Sequence, residues 1–243
     1  MTSYQEKIQS VAENHSYETG FNGRLSKYRI KRIEEALQHQ ARFNLALEIG
    51  CGEGVITEYL APRFKNLTAI EPAKRFFENA SQRLRGSKVS FYNTLFEEFE
   101  SKEEFDVIVA AGVLEHVQET GIFLKKVYDL ISRDGIFMLT VPNAGSMHRR
   151  VGKYMGMLSR LDELGELDKK VGHFRYYDFN SLRIDLENNG FSIVSLKGIV
   201  LKPLPNPQMD LLTEKFCDAL YQIGEELPEY CAEIFVVAKK ENK

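Results

Sequence analysis

The residues best suited to chemistry lie in a glycine-rich segment, residues 47–54, which reads LEIGCGEG. An apolar run at residues 43–49 leads into its glycines and predicts a buried strand. Glycines allow the backbone to turn tightly and to approach a bound molecule closely. A helix predicted from Val55 would point its free backbone amides at the same place. The segment therefore predicts a ligand-binding turn that includes Glu48 and Gly50.

A further acidic residue follows this turn at the distance that one strand-helix-strand step requires. Residues 67–70 form a second apolar run, which Glu71 and Pro72 end. Glu71 thus stands about 20 positions after the glycine turn. The glycine spacing nevertheless departs from the dinucleotide fingerprint G-x-G-x-x-G. Val55 stands where its last glycine would be, and the third glycine here is Gly54.

Holding these residues together requires a sheet whose strands end at one edge. Apolar runs that predict strands alternate with segments of helical periodicity along most of the chain. Strands this apolar must be covered on both faces, which is typical of a parallel sheet flanked by helices. The predicted strands are 43–49, 67–70, 89–92, 105–110, 135–141, 191–196 and 232–238. The predicted helices are 55–64, 74–84, 121–132, 180–188 and 208–224, with shorter ones at 149–154 and 158–167.

Length and composition favour a single α/β domain over residues 1–243, with a helical cap at residues 1–40. The 32 basic and 35 acidic residues leave a net charge of -3, which argues against a dedicated nucleic-acid binder. No apolar run is long enough for a membrane helix, and the first residues lack the features of a signal peptide. The three cysteines have no metal-ligand spacing, so we expect reduced thiols, no metal site and a cytoplasmic protein.

The pattern E-x-G-x-G-x-G at residues 48–54 resembles the cofactor motif of the class I S-adenosylmethionine-dependent methyltransferases. The resemblance includes Leu-Glu-His-Val at residues 114–117 and extends in order and spacing from about residue 43 to residue 141. It implies a Rossmann-like, doubly wound sheet of seven strands in which the last strand is antiparallel. It also implies S-adenosyl-L-methionine as the cofactor and S-adenosyl-L-homocysteine as its product.

The same resemblance implies which residues surround the cofactor. They come from the ends of neighbouring strands and from the N-terminal segment, which is expected to close over the site with Arg24 near the cofactor's carboxylate. The expected contacts are Glu48, Gly50, Cys51 and Gly52 at the methionine end, Glu71 and Pro72 at the ribose, Leu95 and Phe96 at the adenine, Gly112 and Val113 beneath the sulfonium, and Tyr17 and Arg24 in the closing segment.

The methyl acceptor is expected beneath a partly helical lid inserted after the fifth strand, residues 143–178. His173 is the first candidate for a general base because histidine titrates near neutrality, and a purely structural role for it is equally open. His148 is the second candidate, and Tyr176 is expected to orient the acceptor. The other expected acceptor contacts, the arginines among them for an anionic group, are Asn143, Arg150, Arg175 and Tyr177.

Together these features predict transfer of a methyl group to an oxygen or nitrogen atom of a small molecule by in-line displacement. Sugars, nucleotide-linked sugars and natural-product intermediates are the acceptor classes to test. A protein or RNA methyltransferase, an NAD-dependent oxidoreductase and a non-catalytic nucleotide-binding protein are the alternatives. Methylation of nucleic-acid bases is disfavoured because residues 111–114 read AGVL where such enzymes often carry an Asn/Asp-Pro-Pro-Tyr-type tetrapeptide.

Overall fold

The computed structural model describes residues 4–14, 16–38 and 43–241. Residues 1–3, 15, 39 and 40 of the expected N-terminal cap lie outside the described residues. The strands are β1 Leu45–Ile49, β2 Asn66–Ile70, β3 Val89–Tyr92, β4 Phe105–Ala111, β5 Ile131–Pro142, β6 Phe191–Leu201 and β7 Cys231–Lys240. The helices are α1 Tyr4–Asn14, α2 Gly20–Leu37, α3 Val55–Leu60, α4 Lys74–Arg83, α5 Thr120–Leu130, α6 Met147–Tyr154, α7 Glu166–Lys170, α8 Phe179–Asn188, α9 Asn206–Met209 and α10 Glu214–Glu226. Short 3₁₀ turns occur at Phe96–Glu98, Leu114–His116 and Pro228–Tyr230.

The strands form one sheet in the order β3-β2-β1-β4-β5-β7-β6. The five strands β3, β2, β1, β4 and β5 pair in parallel. β7 runs antiparallel to both of its neighbours, β5 and β6. Six strands therefore point one way and the last points the other, which confirms the Rossmann-like α/β sheet that the resemblance implied. In the part of the chain that the structure describes, no helix combines the length and apolar character needed to cross a lipid bilayer.

Two apolar layers cover the sheet, one on each face. On one face, α5 contributes Phe123 and α8 contributes Leu182 to a cluster with the inward side chains of β1, β4 and β5. On the other, α2 contributes Phe21, α3 contributes Leu60 and α10 contributes Leu220. Burial on both faces explains why these strands read as continuous apolar runs. The layers leave the carboxyl ends of the parallel strands open for the glycine turn.

Several boundaries differ from the sequence-based expectations. β5 begins at Ile131 because that residue already pairs with Phe105 of β4. β6 continues to Leu201, which pairs with Cys231 of β7. The helix expected over 208–224 is instead the short α9 followed by α10. The side chain of Thr213 accepts a hydrogen bond from the backbone N–H of Phe216 and so starts a new helix there.

The lid also has a different helix from the expected one. A helix was expected over residues 158–167, whereas α7 covers only Glu166–Lys170. The Asp168 carboxylate accepts a hydrogen bond of 2.8 Å from the backbone N–H of Gly165, which fixes the helix start. The other expected lid helix, 149–154, is present as α6 and begins two residues earlier.

Candidate active site

The turn after β1 adopts the conformation that its glycines allow. Gly50, Gly52 and Gly54 all have positive φ angles, at 71°, 55° and 84°. A Cβ atom at position 50 would lie 2.6 Å from Cγ2 of Val113, which follows β4. A side chain at position 50 is therefore excluded by both backbone geometry and space. Only glycine lets the ends of β1 and β4 approach one another this closely.

Glu71 ties the end of β2 to this turn. Its Oε2 accepts a hydrogen bond of 2.8 Å from the backbone N–H of Gly52, and its Oε1 accepts one of 2.8 Å from that of Ala73. The side chain is buried, and burial raises the pKa of Glu71 to about 7 despite these two backbone donors. Each oxygen has a second lone pair, so the carboxylate can also accept bonds from a ligand.

Glu48, near the end of β1, presents a carboxyl group with spare bonding capacity. It is 2% exposed, and its Oε2 has no hydrogen-bond partner among the described residues. Burial and, to a smaller extent, the nearby Glu71 carboxylate raise the pKa of Glu48 to about 8, although the Thr57 hydroxyl opposes this rise. A buried oxygen without a partner is costly, so this one is suited to a polar or cationic ligand group.

One cavity, which we call the turn pocket, surrounds the glycine turn. It is lined by all the expected cofactor contacts except Arg24. These lining residues are Tyr17, Glu48, Gly50, Cys51, Gly52, Glu71, Pro72, Leu95, Phe96, Gly112 and Val113. Sequence reasoning found no acidic residue for the adenine end, yet Glu97 also lines the pocket.

The N-terminal segment forms one wall of the turn pocket. The backbone N–H of Tyr17 donates a hydrogen bond of 2.7 Å to Oε2 of Glu53 in the glycine turn. The Tyr17 ring packs against Phe76 of α4, with ring centroids 5.5 Å apart. Ile8 and Val11 of α1 complete this wall. Tyr17 therefore lies beside the turn pocket, and its contact with a bound cofactor stays a prediction.

The expectation for Arg24 requires correction. Its guanidinium donates a hydrogen bond of 3.1 Å to the backbone oxygen of Met209 and contacts the Cys217 sulfur, away from the turn pocket. The arginine that lines the pocket is Arg29, one and a half turns further along α2. It forms a buried, bidentate ion pair with Glu233 of β7, at 2.5 and 2.8 Å.

A second cavity, the lid pocket, adjoins the turn pocket. Six residues line both cavities: Val11, Tyr17, Arg29, Gly112, His116 and Val171. The lid supplies further walls from α6, α7 and the segment after α7. All three candidate catalytic side chains expected from the sequence, those of His148, His173 and Tyr176, line this second cavity.

The Asp168 carboxylate lies close to two of these candidates. The hydroxyl of Tyr176 donates a hydrogen bond of 2.8 Å to Oδ1 of Asp168, and Nδ1 of His173 lies 3.8 Å from the same oxygen. Arg149 lies over the Tyr176 ring at 3.8 Å and 3.6 Å from Oδ2 of Asp168. Asp168 therefore connects α6, α7 and the following segment, and its backbone oxygen accepts a hydrogen bond of 2.9 Å from the N–H of His173.

His148 and Lys202 face the lid pocket in unusual electrostatic surroundings. Burial lowers the pKa of His148 to about 3, and the positive charges of Lys202 and Arg149 lower it further. His148 is therefore neutral near pH 7. Burial also lowers the pKa of Lys202 to about 8.

The four other expected acceptor contacts stabilise the lid and do not line either pocket. Asn143 donates to the backbone oxygens of Glu229 and Cys231, each at 2.9 Å. Tyr177 is buried, and its hydroxyl donates to Asp185 at 2.6 Å. These hydrogen bonds give both side chains a role within the fold, and their expected contact with the acceptor stays a prediction.

The two arginines of that group follow the same pattern. Arg150 donates to the backbone oxygen of Gly145 at 2.7 Å and lies over the Tyr230 ring. Arg175 donates to the backbone oxygens of Leu114, Val117 and Gln118. Both guanidiniums thus donate hydrogen bonds to backbone carbonyls. The sequence alone does not distinguish an arginine with this role from one that binds a ligand.

Sequence reasoning missed several residues that line the lid pocket. They are Arg29, Glu115, Asp168, Lys202 and Glu233. One of them had a usable signal, because Glu233 is the single charged residue in the otherwise apolar run AEIFVVA of β7. A lone charge in a buried strand needs a partner, and that partner is Arg29.

Comparison with known proteins gives a family match over most of the chain. A family model described as a methyltransferase domain matches residues 21–196. A ubiquinone biosynthesis O-methyltransferase from Rickettsia felis is 26% identical over 235 residues, which cover 94% of each chain. The protein of that name from Rickettsia prowazekii is 27% identical over 210 residues, covering 83% of this chain and 81% of its own.

Solved structures share the fold. The N-methyltransferase NodS from Bradyrhizobium japonicum, in complex with S-adenosyl-L-homocysteine, superposes with a TM-score of 0.63, 17% identity and 98% coverage of both chains. Magnesium protoporphyrin IX methyltransferase from Synechocystis, also with bound S-adenosyl-L-homocysteine, gives a TM-score of 0.63 at 14% identity. It covers 98% of this chain and 93% of its own.

Proposed function

The chain belongs to the methyltransferase domain family and is an S-adenosylmethionine-dependent methyltransferase, and from this premise we propose that it methylates an oxygen atom of a small molecule. The cofactor supplies an activated methyl group on its sulfonium. The protein must hold that group in line with the acceptor atom at near-attack distance, about 3–3.5 Å. The acceptor must also be kept from water.

The turn pocket has the groups that this cofactor requires. The open Oε2 of Glu48 is suited to the ammonium of the methionine end. The Glu71 carboxylate, fixed by Gly52 and Ala73, has lone pairs left for the ribose hydroxyls. Leu95 and Phe96 supply apolar surface for the adenine. We therefore assign this pocket to S-adenosyl-L-methionine.

The lid pocket is our proposed acceptor site, and its position is the observation that carries the proposal. It meets the turn pocket at Gly112 and His116, so an acceptor bound there lies next to the expected methyl group. Residues of α2, the lid and the loop before α9 surround it. A cavity walled by these elements favours a compact acceptor over a folded macromolecule.

His173 is the residue that we place against the acceptor. A hydroxyl reacts with the sulfonium methyl faster as an oxyanion, so the site must promote its ionisation. The imidazole of His173 lies in the lid pocket, with its Nδ1 3.8 Å from Oδ1 of Asp168. Transfer to oxygen is further supported by the curated relatives, which are named O-methyltransferases.

The experiment is methyl transfer from radiolabelled S-adenosylmethionine to panels of candidate acceptors. The panels are phenols, sugars, nucleotide-linked sugars and small amines, with bulk RNA and denatured protein alongside. Labelling of a hydroxylated small molecule, with loss of turnover in the His173→Ala variant, supports the proposal. Labelling confined to amines, RNA or protein would overturn the assignment of a small-molecule oxygen.

A further inference from the structure

Three potential ligands converge where the two pockets meet. Glu115 and His116 belong to the 3₁₀ turn after β4, and His173 comes from the lid. One ligand atom from each side chain lies within 4.8 Å of the other two. We propose that this trio binds one divalent transition-metal cation, a site that the sequence spacing did not reveal.

The donor set matches a catalytic rather than a structural metal site. Two imidazoles and one carboxylate suit cations such as Zn²⁺ and Mn²⁺. Bonds of about 2.0–2.2 Å bring ligand atoms to about 3–4 Å from one another, so a modest movement of these side chains closes the site. Three protein ligands leave coordination positions open for an acceptor oxygen.

Glu115 provides an observation that is independent of the histidines. Its side chain is 2% exposed, and its Oε2 has no hydrogen-bond partner among the described residues. Isolating a carboxylate from water without a partner is costly, and a cation would offset that cost. Burial raises the pKa of Glu115 and the positive charge of Arg29 opposes this rise, but the Arg29 guanidinium is already bound in bidentate fashion by Glu233.

The backbone holds the three ligands in place. The N–H of Phe174 donates a hydrogen bond of 2.8 Å to the backbone oxygen of Glu115. Arg175 donates to the backbone oxygens on both sides of this turn, those of Leu114, Val117 and Gln118. These bonds fix the segment that carries His173 against the turn that carries the other two ligands.

Asp168 completes the arrangement. Its Oδ1 lies 3.8 Å from Nδ1 of His173 and accepts a hydrogen bond from Tyr176. In metal sites a carboxylate that accepts the ring N–H of a ligating imidazole orients the ring and increases its basicity, and a shift of less than about 1 Å would bring Asp168 to hydrogen-bond distance of His173. The lid residues Asp168 and Tyr176 thus act here as positioning residues.

The proposed cation would give the acceptor pocket its chemistry. A hydroxyl that coordinates a divalent cation loses its proton at a lower pH and is held at a fixed position. The proton leaves to solvent, and His173 contributes its lone pair to the cation. This last step rests on the proposed function, whereas binding of the cation does not.

The test is direct titration of the untagged, EDTA-treated and dialysed protein. Mn²⁺ binding is followed by electron paramagnetic resonance and Zn²⁺ binding by calorimetry, for wild type and for the Glu115→Gln and His173→Ala variants. His148→Ala is the matched control, since it removes a histidine from the same pocket but not from the trio. S-adenosylhomocysteine titration of every protein shows that the turn pocket is intact.

We expect about one equivalent of metal in wild type and in His148→Ala. Affinity should fall at least tenfold in Glu115→Gln and in His173→Ala, with S-adenosylhomocysteine binding retained. The proposed site would be overturned if wild type bound no stoichiometric metal, or if both the Glu115→Gln and His173→Ala variants bound metal as tightly as wild type. If wild type itself did not bind S-adenosylhomocysteine, the assignment of the turn pocket to the cofactor would be contradicted instead.

Discussion

The Glu71 carboxylate accepts a hydrogen bond of 2.8 Å from the backbone N–H of Gly52, and this bond connects the ends of two neighbouring strands. The residue assigned to the ribose therefore also shapes the turn assigned to the methionine end. Changes at either position should affect both ends of the cofactor.

Replacement of Glu71 by alanine should weaken S-adenosylhomocysteine binding by roughly 1.5–3 kcal/mol, the scale of hydrogen bonds to a charged group. The variant loses the proposed ribose contacts and releases the backbone amides of Gly52 and Ala73. Calorimetric titration measures the change. An unchanged dissociation constant in a folded variant would contradict the ribose assignment.

Gly50→Ala should abolish cofactor binding, whereas Gly86→Ala should not. Both glycines have positive φ, at 71° and 85°, so both variants carry similar backbone strain, roughly 1–2 kcal/mol. Only at position 50 would the new Cβ collide, 2.6 Å from Val113, because nothing lies within 4 Å at position 86. Calorimetry compares the pair. Equal loss of binding in both would show that strain alone, and not the contact with Val113, is responsible.

His173→Ala should lower turnover by about 10² or more while the affinity for S-adenosylhomocysteine changes less than about twofold. His148→Gln is the comparison variant. Since the pKa of His148 is lowered to about 3, its imidazole stays neutral over the assay range. The pH dependence of kcat/KM should therefore keep its shape in His148→Gln. A normal rate in His173→Ala would remove His173 from the mechanism.

Arg29→Met should destabilise the protein by about 3–5 kcal/mol, because it leaves the buried Glu233 without its partner. The double variant Arg29→Met, Glu233→Met removes both charges and should recover much of that loss. Urea unfolding of the cofactor-free proteins gives the free energies. Equal destabilisation of the single and double variants would mean that packing, not charge pairing, is what the arginine contributes.

Glu48 should make the cofactor-free protein less stable as the pH rises. Its pKa is about 8 in the folded chain and near 4.5 when unfolded, so the folded state holds a proton that the unfolded state releases. The part of the unfolding free energy that depends on Glu48 is greatest below pH 4.5, falls between pH 4.5 and 8, and is constant above pH 8. Thermal unfolding from pH 5 to 9 should show that the Tm of Glu48→Gln rises relative to that of wild type as the pH increases through that window. Parallel curves for the two proteins would contradict the raised pKa.

The cofactor half could be predicted because its signals are local. The glycine turn follows β1 directly, and Glu71 follows β2 at the distance that one strand-helix-strand step imposes. Each of these residues has its role fixed by the strand that it ends. Neighbouring parallel strands end at one edge, so their terminal residues meet without any long-range information.

The acceptor half was predicted less well because its contacts depend on side-chain direction. Arg24 and Arg29 both lie on α2, but only Arg29 is on the face that meets β7. Asn143, Arg175 and Tyr177 have types suited to ligands, yet each is occupied by backbone or by Asp185. Glu115 lies near His173 because the N–H of Phe174 donates a hydrogen bond to the backbone oxygen of Glu115, and the spacing of residues in the sequence does not predict this bond.

The position of β7 has a consequence for the order of folding. This strand comes last among the seven in the chain but lies between β5 and β6, which precede it. A growing polypeptide that has been synthesised through β6 can complete the parallel strands around the glycine turn, but its sheet has a gap. Glu233 arrives with β7, and until then Arg29 lacks its counter-charge. Most of the turn pocket can therefore form before β7 pairs, whereas the lid pocket, which Glu233 lines, is completed only when this final strand inserts.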